Sequence, residues 1–348
     1  MTDYEKICEF DSLYNAHKKA RRNKRHKRDV IGFEMNLAKH LWSLKERLEN
    51  RTYEVGGYYK FMIHDPKTRE IQALRYEDRI VQHSLCDNVL TPFFENRLIY
   101  DNCACRLGKG THFGIHRLTS FMQEYYRRHG AEGWILKLDI RKYFPSIDHE
   151  VLLDRLRRVI PDQDIMKLLE CIINSYNGES GKGLPMGNQT SQLFALYYLD
   201  PVDRLIKEKL KIKYYTRYMD DMILLSESKE YLQECLKQIR ALCGETLKLE
   251  LNEKTSIFPM RNGVDYLGWH FYLTDTGKVI RKLRQNRKRH LKRRLKVLQR
   301  DYAEGKADFA DVKQRMAATH GHLIHGHTYH LREKISQETI FTRRGVDT

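Results

Sequence analysis

The sequence predicts an α+β protein, with short apolar strands and longer amphipathic helices in separate stretches. Three observations carry this. "GWILKLDIRKYF" (133–144) puts Trp134, Ile135, Leu136, Leu138 and Ile140 in one short apolar run, as in a buried strand. "KYYTRYMDDMILLSESKE" (213–230) sets Tyr214, Tyr215 and Tyr218 before two acids and Met222, Ile223, Leu224 and Leu225 after them, as in a tight hairpin with Asp220 and Asp221 at its tip. Phe33, Leu37, Leu41, Leu44 and Leu48 recur at helical spacing and make 30–49 an amphipathic helix.

The other elements follow in order. "YYKFMIHDPKTREIQAL" (58–74) reads as strands, and 149–175 as helical. "GKGLPMGNQTSQ" (181–192) is a glycine-bearing loop, and Leu193 to Leu210 a helix. A helix is expected over about 229–247, with short strands near "LELNEKTSI" (249–257) and "VDYLGWHFYL" (264–273). The remainder is helical and basic.

At 348 residues, 41% hydrophobic and 11% aromatic, the chain is long enough for two or three lobes with a real core. It contains no apolar run of about 18 residues, which excludes a membrane-spanning helix. "MTDYEKICEF" lacks the apolar stretch of a signal peptide. Cysteines at 8, 86, 103, 105, 171, 235 and 243 show no C-x-x-C pairing and suit reduced thiols in a cytoplasmic protein.

Charge is the strongest bulk signal. Lys and Arg number 63 against 46 acids, a net +17, which points to a polyanionic partner. Eight of the eleven residues from Lys18 to Arg28 are basic, and "RKLRQNRKRHLKRRLKVLQR" (281–300) forms a second block. Neither block contains acids to balance it. Both are therefore expected to bind phosphate backbone rather than to be merely solvated.

A bare Asp-Asp pair is commonly a solvated turn, and a lone strand-end Asp a cap. Asp139, however, ends the apolar strand "WILKLD". If that strand lies beside the hairpin, Asp139, Asp220 and Asp221 converge, and their mutual repulsion of several kcal/mol per pair at an effective dielectric near ~20 calls for cations between them. Two Mg²⁺ ions roughly 3.5–4 Å apart, held by such hard oxygen ligands, activate an attacking hydroxyl and stabilise a leaving pyrophosphate. Mn²⁺ is the expected substitute.

Asp139 within "KLDIRKYFPSI", then "GLPMGNQTSQ", "RYMDD", "LNEKT" and "YLGW", stand in the order and spacing of reverse transcriptase palm motifs. The likeness extends upstream through "DPKTREIQALRYEDRIVQHSL" and "YDNCACRLGKGTHFGI". On these motifs the chain resembles reverse transcriptases from about residue 30 to the start of the thumb. It is most similar to bacterial and phage enzymes of diversity-generating retroelements, which carry G-N-x-T-S-Q where intron-encoded and retroviral enzymes have a Ser-Pro ending. Related antiphage-defence enzymes share much of the pattern.

The resemblance implies a right-hand polymerase fold: a basic N-terminal arm (1–35), fingers (36–133, with part of 150–192), a palm (134–272) and a helical basic thumb (273–348). It implies an RNA-directed DNA polymerase that uses dNTPs and makes cDNA from a structured template or non-coding RNA. A small basic helical accessory protein and no membrane partner go with it. No maturase, endonuclease or RNase H segment is expected beyond the thumb. The alternatives are a defence enzyme copying an associated RNA or adding nucleotides without a template, and a catalytically silent RNA-binding module.

Residue by residue, Asp139, Asp220 and Asp221 match the metal-binding aspartates, with the carbonyl of Ile140 as a further ligand. Lys254 matches the lysine proposed to protonate pyrophosphate. Lys67 and Arg69 match the fingers residues that clamp the triphosphate. Phe144 matches the steric gate against ribose, with core packing as its alternative. Gly187 would let backbone approach the nascent base pair. Met186 keeps the apolar character that accompanies error-prone copying in the retroelement enzymes, but not the β-branch, and core filling is its alternative. Asn188, Ser191 and Gln192 hold that loop or touch the template. Arg79 braces the template side or pairs with Glu77 or Asp78. Tyr266, Leu267, Gly268 and Trp269 match the primer grip, and Arg287, Lys288, Lys292 and Arg293 lie on the duplex-tracking thumb helix. His320, His322, His325, His327 and His330 fit no common zinc spacing and are expected in thumb packing or RNA contact.

Overall fold

The computed structural model describes residues 1–64, 68–176 and 181–343. Four short helices open the chain: α1 (Asp3–Cys8), α2 (Phe10–Ala20), α3 (Arg28–Met35) and α4 (Leu37–Glu49). The periodicity over 30–49 is there, but Asn36 (φ −131°, ψ 42°) breaks it into α3 and α4, so that both can turn Phe33, Leu41, Leu44 and Leu48 into the core. Residues 1–35 do not stand off as a separate arm: Ile7, Leu13, Ala16 and Val30 are buried in the main core, and α2 packs on α5 (Tyr76–Leu85). The basic block finds acids from elsewhere in the chain, Arg21 pairing with Glu34 at 2.5 Å and Lys19 with Asp87 at 2.9 Å.

Between α4 and α5, strands β1 (Tyr58–Ile63) and β2 (Arg69–Leu74) form an antiparallel hairpin. Next come α6 (Thr91–Glu95) and the long α7 (Thr111–His129). Strand β3 (Trp134–Leu138) follows, then α8 (Tyr143–Ser146), α9 (His149–Arg157) and α10 (Gln163–Asn174). The helical stretch expected over 149–175 is thus two helices, parted at Pro161, with Asp162 capping the second by accepting from the Asp164 and Ile165 amides. Helices α11 (Gln189–Tyr198) and α12 (Asp200–Arg204) replace the single helix expected over 193–210.

The hairpin strands β4 (Tyr214–Tyr218) and β5 (Asp221–Ser226) join β3 and β6 (Ser256–Pro259) in a four-stranded antiparallel sheet of order β4-β5-β3-β6. Both faces of this sheet are covered, which is why its strands read as mostly apolar runs. Leu136, Leu138, Tyr215, Met222 and Leu224 enter the larger core with the N-terminal helices, whereas Ile135, Tyr214, Ile223 and Leu225 enter a second core with α7. Helix α13 (Lys229–Ala241) runs from β5 toward β6.

A second sheet, β7 (Val264–Tyr266), β8 (Trp269–Leu273) and β9 (Val279–Leu283), leads into α14 (Gln285–Ala303), α15 (Phe309–Leu323) and α16 (Tyr329–Glu338). Strand β9 lies where the sequence sets the start of a helical thumb. Its Arg281 and Lys282 read as the opening of the basic block and hide the alternation of buried Val279 and Leu283.

Candidate active site

Strand β3 lies antiparallel between β5 and β6, with Leu138 opposite Met222 and Lys137 opposite both Ile223 and Ser256. Continued one residue, the β3–β5 register places Asp139 across from Asp221. On the β6 side the register breaks at the 252–255 turn, so that Asn252 rather than Lys254 lies beside Asp139. The Asn252 amide donates to the Asp139 carbonyl at 2.7 Å, and Thr255 Oγ1 accepts from the Asp139 amide at 3.3 Å, so the "LNEKT" segment is tied alongside. Ile140 is buried and bridged to Leu251.

Asp221 opens β5 opposite Tyr218, leaving Met219 and Asp220 as a two-residue turn with Met219 at φ 55°. Asp139, Asp221 and Lys254 line one cleft of about 1290 Å³, walled on its far side by Arg284, Arg289 and Arg293 of the α14 region. Burial, with Asp139 and Asp220 adding to it, pushes the Asp221 carboxyl up to about 6 against the opposing pull of Lys137, whose Nζ lies 3.3 Å from Oδ1. Lys137 also donates to the Asp265 carbonyl. Asp265 in turn receives His270 and Arg284, each at 2.9 Å, at the base of α14.

Among the described residues no three His, Cys, Asp or Glu side chains gather around one metal-sized point. The full convergence of Asp139, Asp220 and Asp221 expected from sequence is thus not drawn in the side chains, though the backbone brings two of them face to face. Like charges repel, and the Lys137 ammonium draws Asp221 to itself. The donor set still suits a hard divalent ion. It is all oxygen, and Asp221 Oδ1 is buried without a hydrogen bond of good geometry.

Other residues fall variously. Lys67 lies outside the described residues, and Arg69 is the first residue of β2, paired with Ile63. Phe144 is half-buried against the main core, and its carbonyl accepts from the Leu184 amide at 3.0 Å, joining α8 to the glycine-bearing loop. In that loop Met186 is half-buried and Gly187, at φ 110°, is exposed with open space where a Cβ would point. Asn188 and Ser191 are buried and Gln192 half-buried in the first turn of α11, which fits holding the loop rather than lining an open surface.

Three expectations are corrected. Arg79 pairs with neither Glu77 nor Asp78; it donates to the Leu74 carbonyl at 3.1 Å and lies 3.9 Å from Asp29, because Arg47 holds Glu77 and Tyr53 holds Asp78. Tyr266 and Trp269 are wholly buried in the second core, so only the turn of Leu267 (φ 48°) and Gly268 (φ 90°) is left to meet a primer. On α14, Arg287 and Arg293 line the cleft but Lys288 and Lys292 do not; Arg289, His290 and Arg294, which no sequence motif singles out, share that wall. The helical period of about 100° per residue turns Lys288 and Lys292 the other way.

Of the five histidines, His322, His325 and His327 make packing or backbone contacts, whereas His330 is exposed. The Arg281 amide donates to His327 Nδ1 at 3.1 Å, and the His327 amide donates to the Arg281 carbonyl at 2.8 Å. The His325 ring lies 3.8 Å from that of His112 on α7, and His322 lies against Trp269.

The family model for reverse transcriptase (RNA-dependent DNA polymerase) matches residues 63–271, more than half of the chain and all of the cleft's aspartates. The chain belongs to the reverse transcriptase family. Its mixed helix-and-sheet architecture is the family's right-hand fold, and reverse transcriptase domains use divalent metal ions. It is similar to Protein YkfC of Escherichia coli, 24% identical over 57% of this chain and 61% of that protein. It is also similar to a COX1/OXI3 intron 2 protein of Saccharomyces cerevisiae, 23% identical over 51% of this chain and 28% of that one. The solved telomerase of Candida albicans, in complex with a TWJ fragment of telomeric RNA, matches 66% of this chain and 46% of its own at 13% identity and a TM-score of 0.49. The chain spans less than two thirds of the length of each. Among the described residues no helix is long and apolar enough to cross a membrane.

Proposed function

We propose that the chain is an RNA-directed DNA polymerase that copies a dedicated structured RNA into cDNA within a diversity-generating retroelement. The observation that carries this reading is the cross-strand placement of Asp139 against Asp221, in one cleft with Lys254 and the basic wall of α14. Asp139, Asp220 and Asp221, with the Ile140 carbonyl, are the residues to hold Mg²⁺, or Mn²⁺ in its place. When bound, such ions lower the barrier to attack by a primer 3′-hydroxyl on the α-phosphate of a dNTP.

The chain's own groups do the rest. Lys254, exposed on the lining of the cleft that Asp139 shares, is the residue to deliver a proton to pyrophosphate. Lys67 and Arg69 meet the triphosphate, and Phe144 and Gly187 shape the sugar and base side of the nascent pair. The Leu267–Gly268 turn seats the primer end, and Arg287 and Arg293 meet duplex phosphates. The apolar Met186 beside Gly187 is the feature that supports error-prone copying. A small basic helical protein is the expected partner, with the RNA supplying both template and priming structure.

The test is expression with the native flanking RNA region, followed by sequencing of bound RNA and new DNA, with Asp220→Asn as control. DNA complementary to one RNA, made by the parent alone and carrying errors at template adenines, is the expected result. A faithful or repetitive copy overturns the retroelement role in favour of defence. RNA that copurifies while DNA is absent, or unchanged in Asp220→Asn, overturns the polymerase reading.

A further inference from the structure

Behind the Met219–Asp220 turn lies a charge pair with no contact with solvent. Arg217, the fourth residue of β4, and Asp203, on α12, are each wholly buried. Arg217 Nε donates to Asp203 Oδ1 at 2.8 Å and Nη2 to Oδ2 at 2.5 Å, a two-pronged pairing. The Tyr215 hydroxyl donates to the same Oδ1 at 2.6 Å. The remaining contacts of the guanidinium are to backbone: Nη2 to the Leu196 carbonyl at 3.0 Å, and Nη1 to the Met219 carbonyl at 3.0 Å. Burial alone would favour the neutral guanidine, but Asp203 outweighs it and holds Arg217 as a cation.

The Met219 contact gives the pair a purpose. Met219 adopts φ 55°, a conformation that a residue with a Cβ avoids and glycine would take freely. It stands immediately before Asp220 and Asp221. The backbone of Arg217 is fixed as well, its amide donating to the Asp101 carbonyl at 3.1 Å and its carbonyl accepting from the Cys103 amide at 2.8 Å. One end of the guanidinium is therefore anchored in rigid structure, and the other grips the strained residue of the turn. A buried ion pair is in general no more stabilising than well-packed apolar residues of similar volume. Its retention directly behind the two acids asks for another reason.

We infer that Arg217, locked by Asp203 and Tyr215, is a positioning residue that holds Met219 in its strained conformation and so aims Asp220 and Asp221 into the cleft. This rests on the polymerase reading above. It extends that reading to residues remote from the cleft, on the covered side of the sheet.

The experiment compares the parent chain, Arg217→Lys, and an apolar triple variant (Arg217→Met, Asp203→Leu, Tyr215→Phe) that removes every charge and donor of the pair together. Each is assayed for melting temperature, for Mn²⁺ binding from the electron paramagnetic resonance of the free ion, and for kcat and KM for dNTP on a primed template. The expected result is a folded triple variant with a melting temperature within a few degrees of the parent, Mn²⁺ affinity at least tenfold weaker, and kcat at least tenfold lower with KM little changed. Arg217→Lys, which keeps the charge but not the fork, should fall between them. A folded variant with Mn²⁺ affinity and kcat within twofold of the parent overturns the inference. Should the triple variant fail to fold, Arg217→Lys decides: parental Mn²⁺ affinity in a folded Arg217→Lys overturns it. A parent that binds Mn²⁺ but makes no DNA sinks the polymerase reading and leaves the binding comparison to judge the brace. A parent that binds no Mn²⁺ overturns both.

Discussion

The ammonium of Lys137 lies 3.3 Å from Oδ1 of Asp221, next to the position that Asp139 faces across the sheet. Lys137 thereby meets part of the charge of a carboxylate that burial makes costly to ionise. A pH dependence follows. With its folded-state pKa raised to about 6 from 3.8, Asp221 binds its proton more tightly in the fold than in the unfolded chain. The protonated form therefore adds stability that is fully present below pH ~4 and is lost as pH rises through about 6, by about 3 kcal/mol at most. Melting of the metal-free protein between pH 4 and 7 should show this slope, and Asp221→Asn should flatten it. An equal slope in both proteins rules the assignment out. Divalent-ion binding, which needs the ionised form, should weaken as pH falls below about 6.

Phe144 has one side against the main core, and its carbonyl accepts from the amide of Leu184 in the glycine-bearing loop. The two readings of this residue, gate or core, differ in what Phe144→Val should do. As a gate, the variant admits ribonucleotides, raising their incorporation relative to dNTPs by at least about tenfold, or about 1.4 kcal/mol. Its stability should fall by only about 1–2 kcal/mol, since the ring is part-buried. Lost stability with unchanged sugar selection would assign Phe144 to packing alone.

How much of this was legible in the sequence depends on how far apart the cooperating residues lie. The strand 134–138 and the hairpin 214–226 are readable because burial on both faces leaves mostly apolar runs, broken only by Lys137, Thr216 and Arg217, and the acids stand at their ends. The order of strands is not, since pairing β3 with β5 joins residues about ninety positions apart and nothing local encodes it. Arg217 and Asp203, only 14 positions apart, are not paired by any local pattern because a helix and a turn lie between them, although an Arg inside the run Tyr214–Tyr218 is a usable sign: a cation there must find a buried partner. Tyr266 and Trp269 were misread because a family motif names residues without saying which side chains face inward. Gly326 shows how deep Trp269 sits: a Cβ there would come within 1.9 Å of the indole ring.

That burial gives a separable prediction for the β7–β8 turn. Trp269→Ala should destabilise the protein by about 3–5 kcal/mol through the cavity it leaves, and lower activity only in proportion to unfolding. Leu267→Ala, at the half-buried turn, where the side chain packs against the second core, should cost less stability, about 1–2 kcal/mol, and raise the primer concentration needed for half-maximal extension. Chemical denaturation and primer titration distinguish the two. Parental stability in Trp269→Ala would contradict the buried placement.

The two sides of α14 should differ in how they meet nucleic acid. Arg289 and Arg293 face the aspartates on one side of the helix, while Lys288 and Lys292 project from the other. Each pair carries the same charge, so a purely long-range attraction for nucleic acid would respond equally to the removal of either. Direct pairing with duplex phosphates would not. Replacing Arg289 and Arg293 by Ala should weaken primer–template binding and lower the slope of log K against log salt by about 0.9 for each phosphate no longer neutralised, up to about 2. Replacing Lys288 and Lys292 should change that slope by less than half as much. Binding isotherms on an RNA–DNA hybrid at four salt concentrations measure both slopes, and equal reductions would show that α14 attracts the duplex without the cleft face gripping it.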